Sequence, residues 1–268
     1  MKYLRGFFMA WGMFCWIPCP YRGWRQEDRM AQIGMLPLVG AFLGLIVCAC
    51  WAALHWLGAG VIVTGALLAG IYFLLTGFIH LDGFMDCSDA IMPRHPDMNE
   101  RRRILKDSHV GAFAVICAVL MMMIFAGSMI ETAEFAGLRN GCLMVVIFTT
   151  SRFMSAVTVL MEKPMSTSQY ANAEGRESKG TMKDTIPAFV IMLIVLGAAE
   201  FLISSGSWRS LIAELYSNIV FVVVVATAWL TARNDIKKLG GMSGDISGHM
   251  ITMSEMFGVL AMALICSD

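Results

Sequence analysis

Seven stretches of the chain are apolar for long enough to cross a bilayer, which takes about 20 residues as a helix. They are 34–54, 58–79, 111–130, 141–161, 185–204, 217–232 and 249–266, with polar residues gathered between them. Residues 7–20 are also apolar, but the stretch is short and ends in Pro18 and Pro20. It predicts an interfacial or re-entrant helix that does not cross. The expected fold is all-α and polytopic, with about seven transmembrane helices and this short amino-terminal helix. The whole of 1–268 is expected to form a single catalytic domain.

Composition agrees with a membrane setting. Only 15% of residues are charged, against about 25% in a soluble domain, and the mean hydropathy is +0.67. The 23 Met and 25 Gly suit closely packed membrane helices. The start imitates a signal peptide but lacks a small-residue cleavage site, so it is expected to stay in the mature protein. Most of the eight Cys lie inside apolar runs, and none forms a CxxC pair with His. They read as small buried hydrophobes rather than a structural zinc site.

The net charge is zero, but its distribution orients the chain. With the 21–33 loop in the cytoplasm, fifteen loop Lys and Arg fall on that side and only Arg139 and Arg209 on the other. The amino terminus is then cytoplasmic and the carboxyl terminus outside. Asp82, Asp86, Asp89, Asp107, Asp184, Asp235 and Asp245 all fall at the cytoplasmic surface.

That surface is where chemistry is expected. Asp82, Asp86 and Asp89 recur at i, i+4 and i+7, within an arc of about 60° on one helix face. Like charges so placed repel, and lipid nearby worsens it. A hard divalent cation held by carboxylate oxygens would relieve that; the bland alternative is a solvated helix end. His80 falls roughly opposite the acids. Gly83 permits close approach of another helix or a phosphate. In KDSHVGAF at 106–113, Asp107 either completes the metal shell or caps the next helix, and Lys106 can meet a phosphate oxygen. Arg101, Arg102 and Arg103 can meet phosphate or anionic lipid. In GGMSGDISGHM at 240–250, Gly240, Gly241, Gly244 and Gly248 flank Asp245, Ser243 and Ser247. Backbone N–H groups at a helix start there could hold phosphate; the alternative is a turn between spans. Arg233, Asp235, Lys237 and Lys238 lie just upstream. Arg152 sits deep in a span and needs a carboxylate partner or a substrate phosphate. The polar loop 170–180 could cover the site. Together these residues point to metal-assisted phosphoryl or phosphodiester transfer.

HLDGFMDCSDA at 80–90, KDSHVGAF at 106–113 and GGMSGDISG at 240–248 resemble the ordered signature blocks of the cobalamin synthase family, the adenosylcobinamide-GDP ribazoletransferases. IPCP at 17–20, LPLVGAFLG at 36–44 and SRF at 151–153 extend the likeness over most of the chain. Ser243 stands where Thr is common, His109 where Arg is common and Ile91 where Gly is usual, and the 91–105 loop diverges. The resemblance implies attack of α-ribazole or its 5′-phosphate on adenosylcobinamide-GDP, with GMP leaving and Mg²⁺ as cofactor. It implies Asp82, Asp86, Asp89 and Asp107 as metal ligands. Asp245 becomes a further ligand or a base, and His80 a base or an orienting group. Lys106, Ser108, Arg152, Arg233, Gly83, Gly241, Ser243 and Gly244 become substrate contacts. The expected setting is the cell inner membrane. Expected partners are those small molecules and the bilayer, with no nucleic acid. Self-association and association with other cobalamin-assembly enzymes stay open.

Two rivals are weaker. A CDP-alcohol phosphatidyltransferase needs further acids after Gly111, where the chain reads AFAVICAVLMMM. A transporter would place its carboxylates near the bilayer midplane.

Overall fold

The computed structural model describes residues 1–21, 23–135, 137–166, 180–203 and 209–265, with backbone alone for 209–214. Eleven α-helices occur among them: α1 (Lys2–Phe14), α2 (Arg29–Gly34), α3 (Leu36–Trp56), α4 (Val61–Leu75), α5 (Ile79–Ile91), α6 (Met98–Leu105), α7 (Ala112–Glu134), α8 (Leu138–Met161), α9 (Met182–Ile203), α10 (Arg209–Leu239) and α11 (Gly244–Ile265). The described residues contain no strand, only an isolated parallel bridge between Pro164 and Met242. Six helices, α3 and α7 to α11, are long and apolar enough to cross a membrane. The polytopic all-helical expectation therefore holds.

The seventh predicted run differs in an informative way. It breaks after Leu75, and α5 leaves α4 at 86°. Gly77 and Phe78 both take left-handed backbone (φ 57° and 60°), which is uncommon for a phenylalanine. The carbonyls freed at the break find partners. Leu75 O accepts from the Trp16 N–H at 2.7 Å, and Phe73 O accepts from the Phe78 N–H at 3.1 Å and the Thr76 hydroxyl at 3.1 Å. We therefore read α4 as the crossing segment and α5 as a helix lying across the end of the bundle. The acids do not end the membrane helix; they occupy this separate one.

Two boundaries also move. The amino-terminal helix is Lys2–Phe14, not 7–20, because Cys15 turns to extended backbone and residues 15–20 are not helical. It is too short to span, and the Arg5–Asp28 ion pair at 2.6 Å ties it to the lead-in of α2. α10 continues to Leu239 and ends at Gly240, whose φ of 79° suits a helix stop. Arg233, Asp235, Lys237 and Lys238 are thus helical rather than in a loop.

α8 and α11 form the buried centre. α3 packs along α8, α10 and α5 pack on α11, and α4 packs on α7. α7, α9 and α10 leave Met123, Leu193, Ile194, Val222 and Leu230 exposed, as lipid-facing helices do. At the centre lies a polar knot. Arg152 of α8 (0% exposed) pairs with Glu255 of α11 (1%). The Ser151 hydroxyl donates to Glu255 at 2.6 Å, and the Tyr72 hydroxyl of α4 bonds the same carboxylate. Tyr72 stacks on Phe148 at 4.9 Å between ring centroids. One carboxylate thus ties three helices. Breaking a buried pair from one side strands a charge and costs about 3–5 kcal/mol, whereas apolar replacement of both partners is close to neutral. Arg152→Met should therefore lower the melting temperature of the detergent-solubilised protein sharply, and adding Glu255→Leu should restore most of it. Equal losses in the single and double variants would contradict this account.

Candidate active site

α5 lies backbone to backbone on the start of α11. A Cβ on Gly83 would fall 2.8 Å from the Asp245 carbonyl oxygen, and one on Gly248 would fall 3.0 Å from the His80 carbonyl oxygen. The Thr252 hydroxyl donates to that His80 oxygen at 3.0 Å. No side chain fits between, so the expected close approach at Gly83 is to a helix. The crossing presents the predicted face outward: Asp82 is exposed and Asp86 and Asp89 are half-buried. His80 points the other way, buried and stacked on Phe14 at 5.6 Å.

The acids act on one another. The Asp86 carboxyl is pushed up to about 7, first by burial and then by the charges of Asp82, Asp245 and Asp89. Asp245 enters this set from the first turn of α11, where the Ser243 hydroxyl donates to it at 3.3 Å and accepts the Ile246 N–H at 3.3 Å. Ser243 thus caps the helix. An oxygen-only group whose members repel fits a hard divalent cation such as Mg²⁺. Tighter ligand spacing occurs elsewhere. One ligand atom each from Cys87, Asp235 and His249 lie within 4.8 Å of one another, the only such trio among the described residues.

Several other predicted residues have different work. Asp89 accepts the Gly111 N–H at 2.7 Å and the Ala114 N–H at 2.9 Å, capping α7 from a neighbouring helix. The predicted cap was Asp107, but that carboxylate turns to its own loop. It accepts the His109 N–H at 3.0 Å and meets the His109 ring at 2.7 Å, which lowers its pKa. Arg101 donates to Lys238 O at 3.2 Å and Arg102 to Leu239 O at 2.6 Å, so these two close the end of α10. Arg103 pairs with Glu100. Arg152 is fully buried on Glu255, the ion-pair alternative rather than a phosphate contact. Arg233 is exposed and lies over the Trp229 ring at 5.0 Å. Lys106 and Ser108 are exposed at the turn between α6 and α7. Gly241 presses on Met165, and Gly244 opens α11. Of the 170–180 loop, 170–179 lie outside the described residues, as do Arg22, Arg176 and Lys179.

Reading the sequence missed Glu255 and the Cys87–Asp235–His249 group. Glu255 carried a usable signal: an acid inside the last apolar run, where an intramembrane arginine already needed a partner. The trio carried none, because its members come from three separate helices.

The sequence profile described as cobalamin-5-phosphate synthase matches residues 6–263. The chain belongs to that family. Its relatives include proteins named adenosylcobinamide-GDP ribazoletransferase. The one from Clostridium botulinum (strain Alaska E43 / Type E3) is 30% identical, over 97% of both chains. That from Clostridium perfringens (strain SM101 / Type A) is 29% identical over 96% of both, and that from Brevibacillus brevis is 26% identical over 97% of this chain and 98% of its own. No solved structure matches the chain. The protein is therefore a membrane-embedded transferase of cobalamin synthesis, and the resemblance of its signature blocks is borne out.

Substitutions along the α5 acids should differ in their effect on stability, because Asp89 caps α7 and Asp82 is exposed. Asp89→Asn replaces one acceptor of the α7 cap with a donor facing an N–H, and should cost about 1–2 kcal/mol of stability. Asp82→Asn, at an exposed position, should leave the melting temperature within a degree or two of wild type. A stable Asp89→Asn would mean that the cap carries no weight.

Proposed function

We propose that the chain is a Mg²⁺-dependent transferase that joins α-ribazole, or its 5′-phosphate, to adenosylcobinamide-GDP. GMP is released and adenosylcobalamin, or its 5′-phosphate, is formed. The observation that carries this is the carboxylate face of Asp82, Asp86 and Asp245 at one end of the bundle, in a chain of this family. In the reaction a ribazole hydroxyl oxygen bonds to the cobinamide-linked phosphorus. The phosphorus–oxygen bond to GMP breaks, and GMP leaves with the electron pair. A Mg²⁺ ion held by these carboxylates would supply neutralisation of the charge that develops on the phosphate.

The chain's own residues divide the remaining tasks. Asp82 and Asp86 hold the metal from α5, and Asp89 fixes the end of that helix against α7. Asp245, brought beside them by the α5–α11 contact, is a further ligand or takes the hydroxyl proton. His80 is not placed for that proton, since its ring lies under α5 against Phe14. Lys106 and Ser108, exposed at the turn between α6 and α7, supply phosphate contacts. The whole chain acts as one catalytic domain in the cell's inner membrane, with this end of the bundle and the amino terminus cytoplasmic.

The direct test is GMP release by purified protein in detergent, given adenosylcobinamide-GDP and α-ribazole phosphate, with Mg²⁺ and then with EDTA. GMP should need both substrates and the metal. Asp82→Asn and Asp86→Asn should each reduce turnover by more than roughly 100-fold while the protein stays folded. Near-normal turnover in both variants would remove the metal assignment. CMP release from a CDP-alcohol instead would favour a lipid-type transferase. Orientation is checked separately. A protease added to inside-out vesicles should cleave within 92–97, and the same protease added to sealed right-side-out spheroplasts should not.

A further inference from the structure

We propose that Cys87, Asp235 and His249 form a second cation site, selective for a borderline-soft divalent ion such as Zn²⁺ and distinct from the Mg²⁺ face. Cys87 lies on the buried side of α5, Asp235 on α10 and His249 near the start of α11. Cys87 and Asp235 are 0% exposed, and the His249 side chain is 14% exposed. One ligand atom from each lies within 4.8 Å of the other two. His249 Nδ1 is 2.6 Å from Asp235 Oδ2, and the Asn234 amide donates to Asp235 Oδ1 at 2.9 Å.

Their surroundings make the grouping costly without a use. Ala90, Ala228, Leu239, Ile246 and Met250 form an apolar cluster with Cys87, and the Phe84 ring meets His249 edge-on at 5.3 Å. A carboxylate buried among such neighbours calls for a paired charge or a metal. Zinc bonds sulfur at about 2.3 Å and nitrogen or oxygen at about 2.0 Å, so tetrahedral ligand atoms sit roughly 3.3–3.6 Å apart. The 4.8 Å limit on the three ligand atoms is within about 1.5 Å of that spacing. Thiolate and imidazole favour Zn²⁺ or Co²⁺, whereas Mg²⁺ prefers the oxygen-only acid face. On binding, the Cys87 thiol gives one proton to solvent and the imidazole stays neutral. The ion would tie α5 to α10 and α11 one residue from Asp86. This inference rests on the donor trio alone and stands whether or not GMP release is observed.

The test uses the full-length protein in detergent, stripped with chelator and then titrated with Co²⁺ in excess Mg²⁺. One Co²⁺ per chain should bind, with thiolate-to-cobalt charge-transfer absorption and the visible bands of tetrahedral cobalt, and Zn²⁺ should abolish both. Cys87→Ser should remove the charge-transfer band, and His249→Gln should weaken Co²⁺ binding at least about 10-fold. Asp82→Asn should leave the spectrum unchanged. No cobalt spectrum from folded wild-type protein would overturn the proposal. So would a charge-transfer band that survives Cys87→Ser, or loss of the spectrum in Asp82→Asn.

Discussion

The structure depends on one contact, the crossing of α5 over the first turns of α11. Gly83 and Gly248 bring the two backbones so close that a methyl group on either would collide with the other helix. The 86° break after α4 makes the crossing available, because it turns α5 out of the membrane direction and across the end of the bundle. Everything at the site follows. The acids of α5 face outward, His80 is turned under, and Asp245 of α11 joins the row from a different part of the chain. A straight α4–α5 helix would carry Asp82 and Asp86 past the end of the bundle and leave Asp245 behind.

Much of this was legible from the sequence, and the failures have physical causes. The apolar runs located six crossing helices, because length and hydropathy alone decide whether a helix suits a bilayer. The i, i+4, i+7 spacing placed Asp82, Asp86 and Asp89 on one face and His80 opposite, because helical periodicity is local. The break at Gly77 and Phe78 was not legible, since the apolar pattern runs through it without interruption. The role of Asp89 was not legible either: a cap given by one helix to another is a tertiary fact. The same holds for Arg101 and Arg102, whose charge suggested anions but whose geometry meets carbonyls 137 residues away. Arg152 lay between these cases. The need for a partner was readable, but choosing between phosphate and carboxylate required the position of Glu255.

Several charges in this protein are used by the fold. Arg152 and Glu255 answer each other in the centre, Arg5 answers Asp28, Arg103 answers Glu100, and Arg101 and Arg102 meet the carbonyls at the end of α10. Asp89 spends both oxygens on the start of α7. The face of Asp82, Asp86 and Asp245 is different, because its members chiefly meet one another. Mutual repulsion and burial raise Asp86 to about 7, which disfavours the charged row on its own. Under the proposed function, this row is kept for a cation that arrives from outside. A divalent cation carrying a pyrophosphate matches that requirement in charge, in preference for oxygen ligands and in the need for access from solvent. The chain's family is described as cobalamin-5-phosphate synthase, and the proposed metal role for this row accords with phosphate transfer.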